Sequence, residues 1–195
     1  MQIRTLGVYC GSSPGLLPEY KEAATAFGAL LAREGIALVY GGGNVGLMGA
    51  AADGALQAGG KVVGVIPHAL VAKELAHRGV TELYPVDTMH QRKQKMADLA
   101  DGFVALPGGI GTLEEIFEVL TWNQLHIHEK PCAFLNVAGY YDTLIDFLGH
   151  MVRQRFVKQA QLDALIVDSN AASLLTKIRA YAPVKTEKWI DRITT

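Results

Sequence analysis

Short apolar runs rich in β-formers alternate along this chain with longer stretches whose apolar residues recur at three- and four-residue spacing. Runs at 6–10, 36–40, 61–66, 83–86, 103–106, 131–136 and 165–167 read as strands. Tyr20, Ala23, Ala24, Phe27 and Leu31 share one helical face, which Pro18 opens and Gly35 closes. A helix of small residues runs to Gln57, where Gly59 and Gly60 stop it, and Pro67 ends the strand that follows. Thr88 caps a helix carrying Met89, Arg92, Lys93, Met96 and Leu99. Leu113, Ile116, Phe117 and Leu120 mark a helix running to about His126. Two further helices cover about 140–152 and, capped by Ser169 or Asn170, reach about Ala180. Residues 68–79 read as a loop with a short helix lying over the strand ends.

This alternation predicts a single α/β domain over 1–182, a parallel sheet with helices on both faces, and a polar peripheral tail over 183–195. Glycine-rich turns follow Cys10, Tyr40 and Leu106. All three fall at the C-terminal ends of strands, where such sheets bind their ligands.

Composition narrows the function. The chain has 195 residues, 50% of them hydrophobic and 19% charged, with a net charge of −1. That suits one folded domain and gives no electrostatic case for nucleic acid or an anionic membrane. No apolar run is long enough to span a bilayer, and the start lacks a basic segment followed by a long apolar one, so a cytoplasmic protein is expected. Cys10 and Cys132 lie in or beside apolar runs and read as core thiols.

The chemistry concentrates in Pro107-Gly-Gly-Ile-Gly-Thr-Leu-Glu-Glu115. A strand feeding a glycine turn and a helix start aims backbone N–H groups at one point, a seat for phosphate. Thr112-x-x-Glu115 also fits a capping box, in which the two side chains merely satisfy the helix end. The three glycines ahead of it favour a ligand, because a cap does not need them. Gly41-x-Gly43-x-x-Gly46 fits a dinucleotide fingerprint, but it follows the second strand, and Ile66-Pro67-His68 stands where an acidic residue would hold the ribose. Close helix–sheet packing and a backbone contact to phosphate or ribose remain equal readings of that turn. Arg92-Lys93-Gln94-Lys95 taken as a run fits a solvated helix face; against that, it lies just before the central strand on a helix whose start can approach the strand ends, where arginine can fork onto phosphate. His126-x-His128 lacks a third ligand nearby, so no metal is expected.

Together these residues resemble one family. Pro107 to Glu115 matches the full Pro-Gly-Gly-x-Gly-Thr-x-x-Glu signature, Met89-His-Gln-Arg-Lys93 precedes it at the family's distance, and Tyr40 to Gly49 matches a further block. The chain is similar to the Lonely Guy (LOG) family, the cytokinin riboside 5′-monophosphate phosphoribohydrolases, long mislabelled as lysine decarboxylases. The resemblance covers about residues 3–180. It implies hydrolysis of the N-glycosidic bond of adenosine 5′-monophosphates, often N6-substituted, to free base and ribose 5-phosphate. It also implies a Rossmann-like fold, a homodimer, and neither metal nor other cofactor. Arg92 and Glu115 match its catalytic pair. Glu74, Lys93, Gly109, Gly111, Thr112 and Thr121 match its substrate contacts, with the backbone around Ile110, Leu113 and Glu114. The rivals are a nucleosidase of plain AMP or other nucleoside monophosphates, and a non-catalytic carrier of a nucleotide or pterin cofactor. No lysine is evidently placed to bind pyridoxal phosphate.

Overall fold

The computed structural model describes residues 2–71 and 75–183. Strands β1 (Thr5–Tyr9), β2 (Ala37–Tyr40), β3 (Val62–Pro67), β4 (Glu82–Val86), β5 (Gly102–Ala105), β6 (Cys132–Leu135) and β7 (Ile166–Asp168) form one sheet. Their order is β4-β3-β2-β1-β5-β6-β7, and every pairing is parallel. The helices are α1 (Pro18–Arg33), α2 (Gly46–Gln57), α3 (His68–Val71), α4 (Met89–Leu99), α5 (Ile110–Gln124), α6 (Asp142–Arg153), α7 (Gln159–Asp163) and α8 (Ala171–Ala180).

Each sheet face has its own core. On one face Phe27 and Leu31 of α1, Ala51 and Ala55 of α2, and Leu174 and Ile178 of α8 pack on Leu6, Val8, Leu38 and Val104. On the other, Met96 of α4, Ile116 and Val119 of α5 and the flanking Tyr141 pack on Tyr9, Val39, Phe103 and Phe134. Alternate residues of β1 therefore serve opposite layers, as strand geometry requires. β5 and β6 are buried throughout and β1 from Leu6 onward, which is why they read as unbroken apolar runs.

Helices α1 and α2 touch backbone to backbone through Gly28 and Gly54. A Cβ on Gly28 would stand 2.0 Å from the Ala51 carbonyl oxygen, and one on Gly54 would stand 2.1 Å from that of Thr25. Main chain cannot yield as a side-chain tip can. Gly54→Ala is therefore expected to lower the unfolding free energy by about 1–3 kcal/mol, the usual cost of overpacking. A urea melt checks this, and an unshifted midpoint would show that the two helices can part freely.

The strands and the helix starts lie within a residue or two of the expected places, with three differences. Pro67 ends β3 from inside, in register with Val86. Proline lacks a donor but keeps its carbonyl, and β4 is an edge strand that tolerates a further proline, Pro85. The helix expected from 140 starts at Asp142, because Ala138 and Gly139 take positive φ in the turn before it. Short α7 has no apolar periodicity to announce it. The tail beyond residue 183 lies outside the described residues.

Candidate active site

The strand order reverses at β1. The chain steps from β1 outward through β2, β3 and β4, then crosses back to place β5 on β1's other side. The turns leaving β1 and β5 diverge there and leave a crevice, as open parallel sheets do at their switch point. A cavity of about 380 Å³ occupies it. Its walls come from Cys10, Gly11 and Ser12 after β1, Gly41 after β2, Met48 of α2, Met89 and Arg92 of α4, and the first turns of α5. Thus all three glycine turns meet at one place, as the sequence predicts.

The start of α5 has the features of an anion seat. Gly109 is its N-cap, no side chain caps it, and its first turn holds no acidic residue. The N–H groups of Ile110, Gly111 and Thr112 belong to the first turn, which has no intrahelical acceptor to offer them. A Cβ on Gly109 or Gly111 would meet nothing within 4 Å, and neither residue has positive φ. Neither the backbone angle nor protein packing demands glycine at these two positions. The reverse holds at Gly108, whose Cβ would strike Thr112 Oγ1 at 2.1 Å and the Gly11 backbone nitrogen at 2.8 Å. The capping box does not form: Thr112 and Glu115 lie inside α5, beyond its cap.

Glu115 instead faces Arg92, with Arg92 Nη2 3.2 Å from Glu115 Oε1 and the two side chains 11% and 9% exposed. Yet Glu115 Oε1 and Arg92 Nε have no hydrogen-bond partner among the described residues. Burial pushes the Glu115 carboxyl above the ordinary carboxylate range, and the Arg92 charge pulls it part of the way back. Arg92 is aimed by the start of α4. There Thr88 accepts from the Gln91 N–H at 3.1 Å, and Gln91 Oε1 accepts from the Asp87 N–H at 2.8 Å. Gly41 leaves room for the guanidinium, since a Cβ there would stand 1.8 Å from Nη2.

The second glycine turn resolves toward packing. The N–H groups of Leu47 and Met48, at the start of α2, donate to the Gly11 carbonyl at 2.9 and 3.3 Å. A Cβ on Gly46 would stand 2.3 Å from the Ser12 backbone. The donors that a dinucleotide fingerprint would offer to phosphate are spent on the first turn.

Of the expected site residues, Arg92, Gly109, Ile110, Gly111, Thr112, Glu114 and Glu115 line the cavity. Lys93 does not itself line the cavity: its Nζ pairs with Glu114, which does, and, at 3.1 Å, with Glu118. Leu113 packs beside the core, and Thr121 is exposed and donates to the Phe117 carbonyl at 2.7 Å. Glu74 lies outside the described residues. Sequence reasoning passed over Tyr140 and Tyr141, whose hydroxyls donate to the Gly108 and Leu106 carbonyls at 2.6 Å each and brace the turn from behind. Adjacent tyrosines just past a strand were the available signal.

Among the described residues no group of three or more His, Cys, Asp or Glu could hold a metal ion. Burial, aided by Lys130, lowers the His128 pKa to about 4, and its ring packs 5.5 Å from that of Phe103. Burial pushes both thiols far up, which leaves Cys10 a poor nucleophile although it lines the cavity. Among the described residues no lysine lines the cavity, and no helix is long and apolar enough to cross a membrane.

Fold and site together define a Rossmann-like α/β protein with an uncapped helix start lining a cavity at its switch point. Solved structures agree on the fold. A molybdenum cofactor binding protein from Rippkaea orientalis superposes with TM-score 0.70 at 24% identity, covering 92% of this chain and 98% of that one. The molybdenum cofactor carrier protein of Chlamydomonas reinhardtii gives 0.67 at 20%, covering 92% and 98%. The family model described as "Possible lysine decarboxylase" matches residues 48–178. A cytokinin riboside 5′-monophosphate phosphoribohydrolase from Rhodococcoides fascians is 46% identical over 178 residues, 91% of this chain and 90% of that protein. A probable enzyme of the same name from Oryza sativa subsp. japonica is 46% identical over 93% of this chain and 74% of its own length, and one from Arabidopsis thaliana is 43% identical over 93% and 85%. The chain belongs to this phosphoribohydrolase family, the one its sequence signature resembles.

Proposed function

We propose that the protein hydrolyses the N-glycosidic bond of adenosine 5′-monophosphates, cytokinin riboside 5′-monophosphates among them. One observation carries this reading: a buried carboxylate and guanidinium, each with an unpartnered polar atom, face a helix start whose N–H groups are open to an anion. A carrier of anions has little use for a buried Glu115 at that place. The names of the family's relatives supply the substrate class.

The 5′-phosphate sits on the N–H groups of Gly109, Gly111 and Thr112, favoured by the α5 dipole. Bound there, it holds the ribose in a reactive pose at a distance from the bond that breaks. As the bond from ribose C1′ to the base nitrogen lengthens, positive charge grows on the sugar ring, as in O-glycoside hydrolysis. Glu115 stabilises that charge and takes the proton of the attacking water as its oxygen bonds to C1′. The electron pair leaves with the base, which takes up a proton from solvent, and Glu115 gives the water's proton back to solvent to close the cycle. Arg92 holds Glu115 in place and offers positive charge on the side of the leaving base. The protein's own side chains supply these steps without a cofactor.

The same reading makes the protein a homodimer. Ile110, at 87% exposure, and half-exposed Met89 both line the cavity and suit cover by a second copy. It also places the protein in the cytoplasm, in keeping with its two free cysteines.

Incubation with AMP, N6-isopentenyl-AMP and pyrimidine monophosphates, followed by chromatography, tests the proposal. Free adenine or N6-isopentenyladenine with an equal amount of ribose 5-phosphate is expected. Binding without release would establish a carrier, and release from pyrimidine nucleotides would widen the substrate class. A second expectation concerns Gly41→Ala. The new methyl displaces the Arg92 guanidinium, a movable side-chain end, so the fold persists while turnover falls by about tenfold or more, as loss of a preorganised charge requires. Unchanged turnover would mean that Arg92 works from another position.

A further inference from the structure

Arg92 has few ties of its own. Its Nη2 lies 3.2 Å from Glu115 Oε1, its Nη1 reaches the Met89 sulfur at 3.7 Å, and its Nε has no hydrogen-bond partner among the described residues. Where the guanidinium points therefore depends on how α4 is turned against α5. The next residue along α4 supplies a second tie. Lys93 is buried, and its Nζ sits between Glu114 and Glu118, pairing with Glu118 Oε1 at 3.1 Å. Arg92 and Lys93 leave α4 about 100° apart, and two ties at that angle oppose rotation of α4 about its own axis. Glu114 and Glu118 stand one turn apart on the same side of α5, so together they also fix the ammonium along that helix. Glu114 is exposed and lines the cavity, where a ligand competes for it. Glu118 does not line the cavity and keeps Lys93 when the site fills. One of its oxygens, Oε2, is buried without a partner among the described residues. Apolar residues of similar bulk often stabilise as well as a buried ion pair, so the cluster points to placement rather than to stability.

We propose that Glu118 is a positioning residue of the active site: it holds Lys93 against α5 and thereby sets the turn of α4 at which Arg92 meets Glu115. This inference rests on the glycosidic activity proposed above. The ionisable groups about Glu115 are Arg92 and Lys93 of α4, Glu114 and Glu118 of α5, and Tyr9 and Cys10 at the end of β1. Among the charges Arg92 acts on the Glu115 carboxyl most strongly and draws its pKa down, whereas Glu118 pushes it up most weakly. Loss of the Glu118 charge thus has two opposed effects. The missing charge lowers the Glu115 pKa, an Arg92 released from its place raises it, and the second effect is the larger.

Glu118→Gln keeps the side chain's shape and loosens Lys93. kcat is expected to fall about tenfold or more, as misplacement of a catalytic group does, while KM stays within about twofold because the start of α5 is untouched. In an Arg92→Ala background the same change should cost nothing further, and losses that multiply overturn the inference. Infrared difference titration, referenced to Glu115→Gln, reads the Glu115 carboxyl without turnover. Its midpoint is expected to rise on Glu118→Gln in the parent protein and to fall in the Arg92→Ala background, where only the missing charge counts. A fall in both backgrounds overturns the inference, as does a loss confined to the melting temperature. Should the parent protein release no base while the midpoint still moves in opposite directions, the glycosidic reading fails and the positioning role of Glu118 stands.

Discussion

Glu115→Gln is expected to cut base release by about 10²–10³, equivalent to about 2.7–4 kcal/mol of barrier, while nucleotide binding and fold persist. The amide matches the carboxylate in shape, so the loss reads charge and proton acceptance rather than packing. Arg92→Ala should cost a similar amount. The double variant should be little worse than either, because a buried pair 3.2 Å apart acts as one unit. The pH profile provides a separate check. Glu115 must be ionised to work, and burial raises its pKa. Activity should therefore fall, as pH is lowered, at a higher pH than the ordinary glutamate value of about 4.3 would set. Retained turnover in both single variants would remove the pair from the chemistry.

Gly111→Ala should move stability and binding in opposite directions. Gly111 lies in the first turn of α5 without positive φ, and a Cβ there would touch no protein atom within 4 Å. Alanine in a helix is favoured over glycine by roughly 0.5–1 kcal/mol, so the melting temperature should hold or rise. The space that the methyl fills is the approach to the open N–H groups, so AMP and ribose 5-phosphate should bind about tenfold more weakly or worse. Calorimetric titration and a thermal melt on the same preparation measure both. Lower stability with unchanged affinity would mean that this glycine serves the fold and the phosphate rests elsewhere.

The parts of the molecule governed by local chemistry were readable from the sequence alone. Thr88 and Asn170 cap their helices as their side chains allow, accepting from the N–H groups of Gln91 and Ser173. The buried strands announced themselves as apolar runs, and the three glycine turns marked the business end of the sheet. What stayed hidden depends on contacts distant in sequence. Nothing local in the Gly41 block reveals that Gly46 abuts the Ser12 backbone or that Gly41 makes way for Arg92. Thr112-x-x-Glu115 fits a capping box as a string, and only the placement of the cap at Gly109 rules that out. Lys93 stands next to Arg92 in sequence, yet one residue along a helix turns its side chain by about 100°, so that it pairs with Glu114 and Glu118 instead of lining the cavity.

The braces at Tyr140 and Tyr141 set an order of events during synthesis. Every residue of the cradle from Pro107 to Glu115 leaves the ribosome before the two phenols that hold the Leu106 and Gly108 carbonyls. A nascent chain can thus display the whole signature and still lack the buttress that gives the cradle its shape. The braced form of the turn therefore waits on the β6–α6 unit, the last part of the chain to reach it.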